Sequence, residues 1–230
     1  ALGLFSFSLP KTPPKATNVS PSIREILGLD ALKLLRDSRY LIFFISSILI
    51  CIPLAFYYQD ANLFLNELGM KNAAGVMTLG QISEALFILL LPIFLNKYGI
   101  KKTLIVGMFA WSLRYVLFAF GDTGSNIWML IFGIVLHGIC YDFFFVSGQI
   151  YTDFKAGEKY KSAAQGLIAL ATYGLGMLIG FRLAGRVTDQ FALDPGHDWT
   201  QIWIIPAIFA AVVLVIFILT FKNEKIEIEK

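Results

Sequence analysis

The feature that most constrains this chain is one apolar run, Ile127 to Thr152, "IWMLIFGIVLHGICYDFFFVSGQIYT". It is long enough to cross a bilayer as a single helix, which takes roughly 20 apolar residues. Yet His137 and Asp142 sit near its middle. A carboxylate at that depth costs about 2.5–3.5 kcal/mol on insertion scales, so it faces protein or water instead of lipid. Two roles are open to it. It is a functional group (an ion pathway, proton relay or ligand contact), or a polar residue that pins one helix to its neighbour.

The pattern recurs. Further spans are expected at about Tyr40 to Leu65, Ala73 to Leu95, Thr103 to Phe120, Ser162 to Val187 and Ile202 to Phe221, six in all. Hydrophobic residues make up 57% of the chain, charged residues 15%, and the mean hydropathy is +0.70. A soluble domain carries about 25% charged residues, so the expectation is an all-α membrane protein. Cys51 and Cys140 both lie inside apolar runs, as small buried residues do, and no metal-ligand spacing accompanies them. Pro53 is expected to kink the first full span, and its outer half, "FYYQDANLF", to line a cavity.

Before these spans, residues 1–9 read as the end of a preceding transmembrane helix and 10–39 as a central loop. Pro10, Pro13, Pro14, Lys11 and Lys15 give that loop an extended polar start. Ser22 and Glu25 form a capping box, and Ile23, Ile26, Leu27 and Leu34 follow at helical spacing. This predicts a short amphipathic helix, lying on the membrane surface or serving as an ordinary connector. Residues 40–221 make the six-helix bundle and 222–230 a charged tail. Basic residues gather in the loop, at Lys97, Lys101 and Lys102, at Lys155, Lys159 and Lys161, and in the tail. The positive-inside rule therefore places the loop and the C-terminus in the cytoplasm.

Depth follows from the ~1.5 Å helical rise: Glu84, Arg114 and Asp142 lie about 18, 17 and 17 Å from the cytoplasmic edge. Three ionisable groups from three spans thus share one level near the midplane of a ~30 Å core. Gln81 and Glu84 share a helix face, as do His137 and Tyr141, whereas Asp142 points about 140° away from His137. Gln81, Glu84, His137 and Tyr141 are accordingly candidates for a ligand cavity. Arg114 has two candidate ion-pair partners, Asp142 and Glu84, and the sequence leaves both open. In the fifth span Gly176, Gly180 and Ala184 form a small-residue ridge that suits close helix packing or, less simply, a hinge. The rings of "FYY" and of Phe143 to Phe145 are available to pack or to stack on a ligand.

The segments "LGLDALKLL", "QISEALFILLLPIFLNKYGIKK", "AWSLRYVLFAFGD" and "HGICYDFFFVSG" resemble the C-terminal half of nucleoside:proton symporters of the major facilitator superfamily. "ISE" and "YDFF" are the most specific parts of that resemblance. "LNKYGIKKTL" is similar to the superfamily's cytoplasmic loop, with Asn96 where an Asp is usual. The resemblance implies twelve spans in two halves, each half a pair of inverted three-helix repeats, with the solute between them. It implies that Gln81 and Glu84 contact a nucleoside and that Asp142 is an acid associated with transport. His137 stands where a Tyr occurs in well-known members, and Tyr141 where a Phe does. The activity the resemblance implies is proton-coupled nucleoside import across the inner membrane by alternating access, not an enzyme reaction. A transporter of another small polar solute, such as a sugar, and a non-transporting membrane module are the rivals. The expected partners are a nucleoside or similar solute, the lipid bilayer and the N-terminal six-helix half. No nucleic acid and no cofactor beyond the coupling proton are expected.

Overall fold

The computed structural model describes residues 2–10 and 28–224. The capping box Ser22–Glu25, the loop basic residues Lys11, Lys15 and Arg24, and residues 225–230 lie outside the described residues. Among the described residues there is no strand, only an isolated bridge between Ala192 and His197. The helices are α1 (Leu2–Ser6), α2 (Ser38–Glu67), α3 (Ala73–Phe120), α4 (Ile127–Tyr141), α5 (Ser147–Ala169), α6 (Met177–Gln190) and α7 (Trp199–Thr220). Two π-helical turns, Asp142–Val146 and Leu170–Gly176, join α4 to α5 and α5 to α6 without a break.

Four helical runs are long and apolar enough to cross a membrane: Ser38–Glu67, Ala73–Phe120, Ile127–Gln190 and Trp199–Thr220. Two of them hold a non-helical glycine, Gly99 (φ 75°, ψ 172°) and Gly157 (φ 60°, ψ 176°). Such a backbone suits glycine because it has no Cβ to clash. The chain reverses at each. Before Gly99, Gly80, Ser83 and Phe87 meet His137, Gly138 and Phe143 in the same chain order. After it, Gly107, Arg114 and Gly121 meet Phe144, His137 and Leu130 in the opposite order. The two limbs of α3 are therefore antiparallel. Across Gly157, Gln165 donates to the Gln149 carbonyl at 2.8 Å and to Asp153 Oδ1 at 2.7 Å, so α5 also folds back on itself.

The centre of the bundle is α2. In its most apolar stretch 67% of residues are buried, against 22% for α3. The Asp37 carboxylate caps it, accepting from the backbone N–H of Arg39 at 2.8 Å and of Tyr40 at 3.3 Å. Pro53 lies within it, and the Tyr115 hydroxyl donates to the Pro53 carbonyl. The small-residue ridge of α6 lies directly on α2. A Cβ at Gly180 would stand 2.6 Å from the Ala55 Cβ, and one at Gly176 would stand 2.7 Å from the Cys51 Cβ. Close packing is thus what this ridge does. On the other side α7 runs antiparallel to the second limb of α3, with Ser112 donating to the Ala207 carbonyl at 3.1 Å and Thr200 to that of Ala119 at 3.0 Å. Between them Tyr115 stacks on Trp203 at 5.6 Å, and Phe64 and Phe118 meet Trp203 edge-on. Cys51 and Cys140 are free and buried.

The start of the expected amphipathic helix, Ser22 to Leu27, lies outside the described residues, and the described part of the loop forms a 3-10 helix at Leu29–Arg36. It docks on α5 through Ala31, which packs with Ala156 and Ala164, while Leu29 and Leu32 stay exposed. Gly28, at φ 64°, makes the approach tight: a Cβ there would lie 3.2 Å from that of Ala163. Short 3-10 pieces are common as connectors of this kind. Close by, Lys155 Nζ lies 2.7 Å from both Asp37 Oδ2 and Glu224 Oε1, and the Tyr151 hydroxyl donates to Glu224 Oε2 at 3.0 Å. Burial alone would raise the Asp37 pKa. The Lys155 hydrogen bond and the capped N–H groups outweigh it and hold the carboxyl below its ordinary 3.8.

Candidate functional site

The first limb of α3 crosses α4 at small residues. Gly138 N–H donates to Ser83 Oγ at 3.2 Å, and Ser83 in turn donates to the Val135 carbonyl. Gly80 rests on the His137 Cβ. This crossing sets Glu84, the residue after Ser83, beside His137, the residue before Gly138. His137 Nε2 is 3.8 Å from Glu84 Oε2. Gln81 is exposed one turn earlier on the same limb.

On the other side of His137 lies Arg114, from the second limb of α3. Its Nη1 is 2.9 Å from His137 Nδ1. The guanidinium is fully buried, with its Cζ 3.5 Å from the centre of the Tyr57 ring, and Trp111 and Phe118 stand at 5.6 and 5.4 Å. Cation–π attraction of this kind is strongest where water is excluded. Tyr57 also stacks on His137, ring centres 5.4 Å apart. Arg114, His137 and Glu84 therefore form one chain across three helical segments.

Neither ion pair expected of Arg114 is formed. His137 occupies the place between Arg114 and Glu84 and takes the hydrogen bond instead. Asp142 is fully buried and opens the first π-turn. Among the described residues neither of its carboxylate oxygens has a hydrogen-bond partner, and Arg114 Nε and Nη2 have none either. π-Turns inside α-helices often mark functional positions.

His137 and Tyr141 share a face as the spacing indicates, with ring centres 5.8 Å apart. The Tyr141 hydroxyl bonds that of Tyr173, from the second π-turn, at 2.6 Å. Phe145 stacks on Tyr173 at 6.2 Å and is tilted against Tyr141 at 5.3 Å. A small recess of about 40 Å³ opens beside this group, lined by Phe43, Ser47, Phe144, Gly148, Gln165 and Thr172 among others. Among the described residues no three His, Cys, Asp or Glu side chains converge as a metal site would require.

Three residues here were not singled out from sequence. Tyr57 belongs to the ring cluster noted in α2, but it stacks on Arg114. Tyr173 lies within the glycine-rich span and gave no polar signal of its own. Asp60 is a buried acid of α2, held by the Thr188 hydroxyl at 3.2 Å and by Gln59 Nε2 at 3.2 Å. The depth count that aligned Glu84, Arg114 and Asp142 would have found it, because any carboxylate within a span carries the same signal.

Comparison with known proteins places this geometry in a family. Residues 1–226 match the family described as Nucleoside H+ symporter. YegT of Escherichia coli (strain K12) is 46% identical over 235 residues, covering 99% of this chain and 55% of that protein. Nucleoside permease NupG of the same strain is 32% identical over 238 residues, covering 99% of this chain and 57% of that protein. A crystal structure of the nucleoside transporter NupG shares the fold with a TM-score of 0.78 at 32% identity, over 97% of this chain and 58% of that one. The chain thus spans little more than half the length of the curated relatives it matches. A family match along nearly the whole chain and an all-helical, multi-pass fold shared with NupG agree: the chain belongs to the nucleoside H+ symporter family.

Proposed function

We propose that the chain is the C-terminal six-span half of a transporter that imports nucleosides across the inner membrane with a coupled proton, by alternating access. Reading Gly99 and Gly157 as turns at the membrane surface converts the four long helical runs into six crossings. Residues 1–9 then end a preceding span, 10–39 form the cytoplasmic central loop, 40–221 the bundle and 222–230 a cytoplasmic tail. The observation that carries the reading is the Arg114–His137–Glu84 chain at mid-bundle with Gln81 beside it. Glu84 and Gln81 supply acceptors and donors for a polar solute, and His137 and Tyr141 close the same face. Asp142, buried and unpartnered, is the acid assigned to proton coupling.

The test is uptake of radiolabelled nucleosides into proteoliposomes containing the full-length protein, driven by an inward proton gradient. Saturable uptake that a protonophore abolishes is the expected result. Uptake of sugars but not nucleosides, or indifference to the gradient, refutes it. Cysteines placed at Lys101 and Lys159 should be labelled only from the cytoplasmic side, and one at Asp194 only from outside. Labelling of position 159 from outside overturns the orientation.

A further inference from the structure

We propose that Arg114 is a positioning residue that locks the His137 imidazole as its Nε2–H tautomer, so that the site selects solutes carrying a hydrogen-bond acceptor opposite that N–H. The inference rests on the reading of Glu84 and His137 as ligand contacts. An arginine side chain offers five N–H donors and no acceptor. The 2.9 Å contact between Arg114 Nη1 and His137 Nδ1 is therefore a bond in one direction only: arginine donates and the Nδ1 lone pair accepts. Nδ1 then bears no hydrogen, the ring is neutral, and its single proton sits on Nε2.

The surroundings leave the ring no other arrangement. Arg114 is fully buried and held flat on Tyr57 at 3.5 Å, and the same tyrosine stacks on His137 with planes 30° apart. The imidazole is thus fixed at its Nδ1 edge by arginine and on its face by tyrosine. Its other edge points toward Glu84, and at 3.8 Å the Nε2–H and the carboxylate stand side by side without consuming each other. The Glu84 side chain is 34% exposed and that of His137 only 4%, so a solute that reaches Glu84 meets the N–H through a narrow opening.

A solute seated there must offer a donor to Glu84 and an acceptor to His137 at neighbouring atoms. A ribose hydroxyl or the N–H/C=O edge of a lactam base satisfies both. A solute that presents a donor to His137 sets hydrogen against hydrogen and leaves a buried N–H unpaired, which is the kind of mismatch that discriminates most strongly. Tyrosine at this position would not enforce the rule, because a hydroxyl both donates and accepts.

Two measurements test this. The first is 15N NMR of the full-length protein labelled at histidine, with the His137 signals identified by their loss in His137→Asn. The expected spectrum shows a protonated Nε2 and a bare Nδ1. In Arg114→Gln, whose amide both donates and accepts, a mixture of tautomers is expected. A protonated Nδ1 or an imidazolium in the wild type overturns the lock, and that spectrum decides even if the Arg114 variant fails to fold. The second is binding of nucleosides and their deoxy and deoxo analogues to wild type and His137→Phe. The parent should bind about 10-fold more weakly to the variant, and the analogue lacking the acceptor should show no further loss. Equal losses for every analogue mean that His137 touches no solute, and the selection claim falls. Absence of nucleoside binding by the wild type refutes the transporter reading and the selection claim together, while the tautomer lock stands or falls on its own spectrum.

Discussion

Replacing Gly138 with alanine tests whether the site is set by the α3–α4 crossing. A Cβ at position 138 would lie 2.6 Å from the Glu84 backbone nitrogen and press on Ser83 as well. Carbon and nitrogen atoms in ordinary contact sit roughly 3.5 Å apart, so the two helices must part by about 1 Å. The obstacle is main chain, and no side-chain rotation relieves it. Overpacking of this kind costs about 1–3 kcal/mol. The same displacement carries Glu84 away from His137 and strains the Gly138–Ser83 hydrogen bond, so nucleoside affinity should fall about 10-fold or more. Gly185→Ala is the control. Its Cβ would meet only the end of the flexible Gln59 side chain, at 3.8 Å, and its effect should stay within about 1 kcal/mol. Thermal unfolding and nucleoside binding of the full-length variants read both outcomes. If Gly138→Ala melts and binds like wild type, the close crossing does not position the site and the reasoning fails.

Glu84→Gln keeps the size of the side chain but removes a charged acceptor, and nucleoside affinity should fall about 10- to 100-fold in equilibrium binding. Wild-type affinity would reduce Glu84 to a packing residue. Asp142→Asn should impair proton-driven uptake more than binding, because helical spacing sets it about 140° round from His137; equal losses in both would contradict that separation. Lys155→Met strips Asp37 and Glu224 of their shared cation and should lower stability by about 1–3 kcal/mol. The Asp37 pKa is depressed in the folded state, so its contribution is complete above the ordinary carboxyl value of 3.8 and is lost as pH falls through the folded value. Melting followed across acidic pH should show this loss in wild type and a shallower one in Lys155→Met.

The helices were legible because a membrane span declares itself by length and apolarity, and the glycine ridge because close packing needs small residues at one spacing. Shared faces were legible too: Gln81 with Glu84 and His137 with Tyr141 follow from helical geometry within one segment. What the sequence could not give was pairing between segments. Arg114 had two acids at its depth, and depth alone cannot show that His137 stands between it and Glu84. Nor does any local pattern announce the π-turn at Asp142, since "DFFFV" is as apolar as an α-helical stretch would be. The 3-10 form of the helix at Leu29–Arg36 carries no local signal either. It packs through Ala31 onto Ala164, which lies in another segment.

The interposed histidine also explains how a buried arginine and a usable carboxylate coexist at one depth. Had Arg114 reached Glu84 directly, a forked guanidinium would have claimed both carboxylate oxygens in a bidentate pair. The acid would then be spent on structure. Here the guanidinium is stabilised by the Tyr57 face and by one hydrogen bond to a neutral ring, and the carboxylate stops 3.8 Å short of that ring. On the proposed reading, Glu84 thereby keeps its lone pairs for a solute. The arrangement leaves Arg114 Nε and Nη2 and both Asp142 oxygens without partners among the described residues. Buried polar atoms of this kind are costly in a static bundle. On the proposed transporter reading, these are the groups left open to take new partners as the helices move, and two of them are the oxygens of Asp142 at the start of the first π-turn.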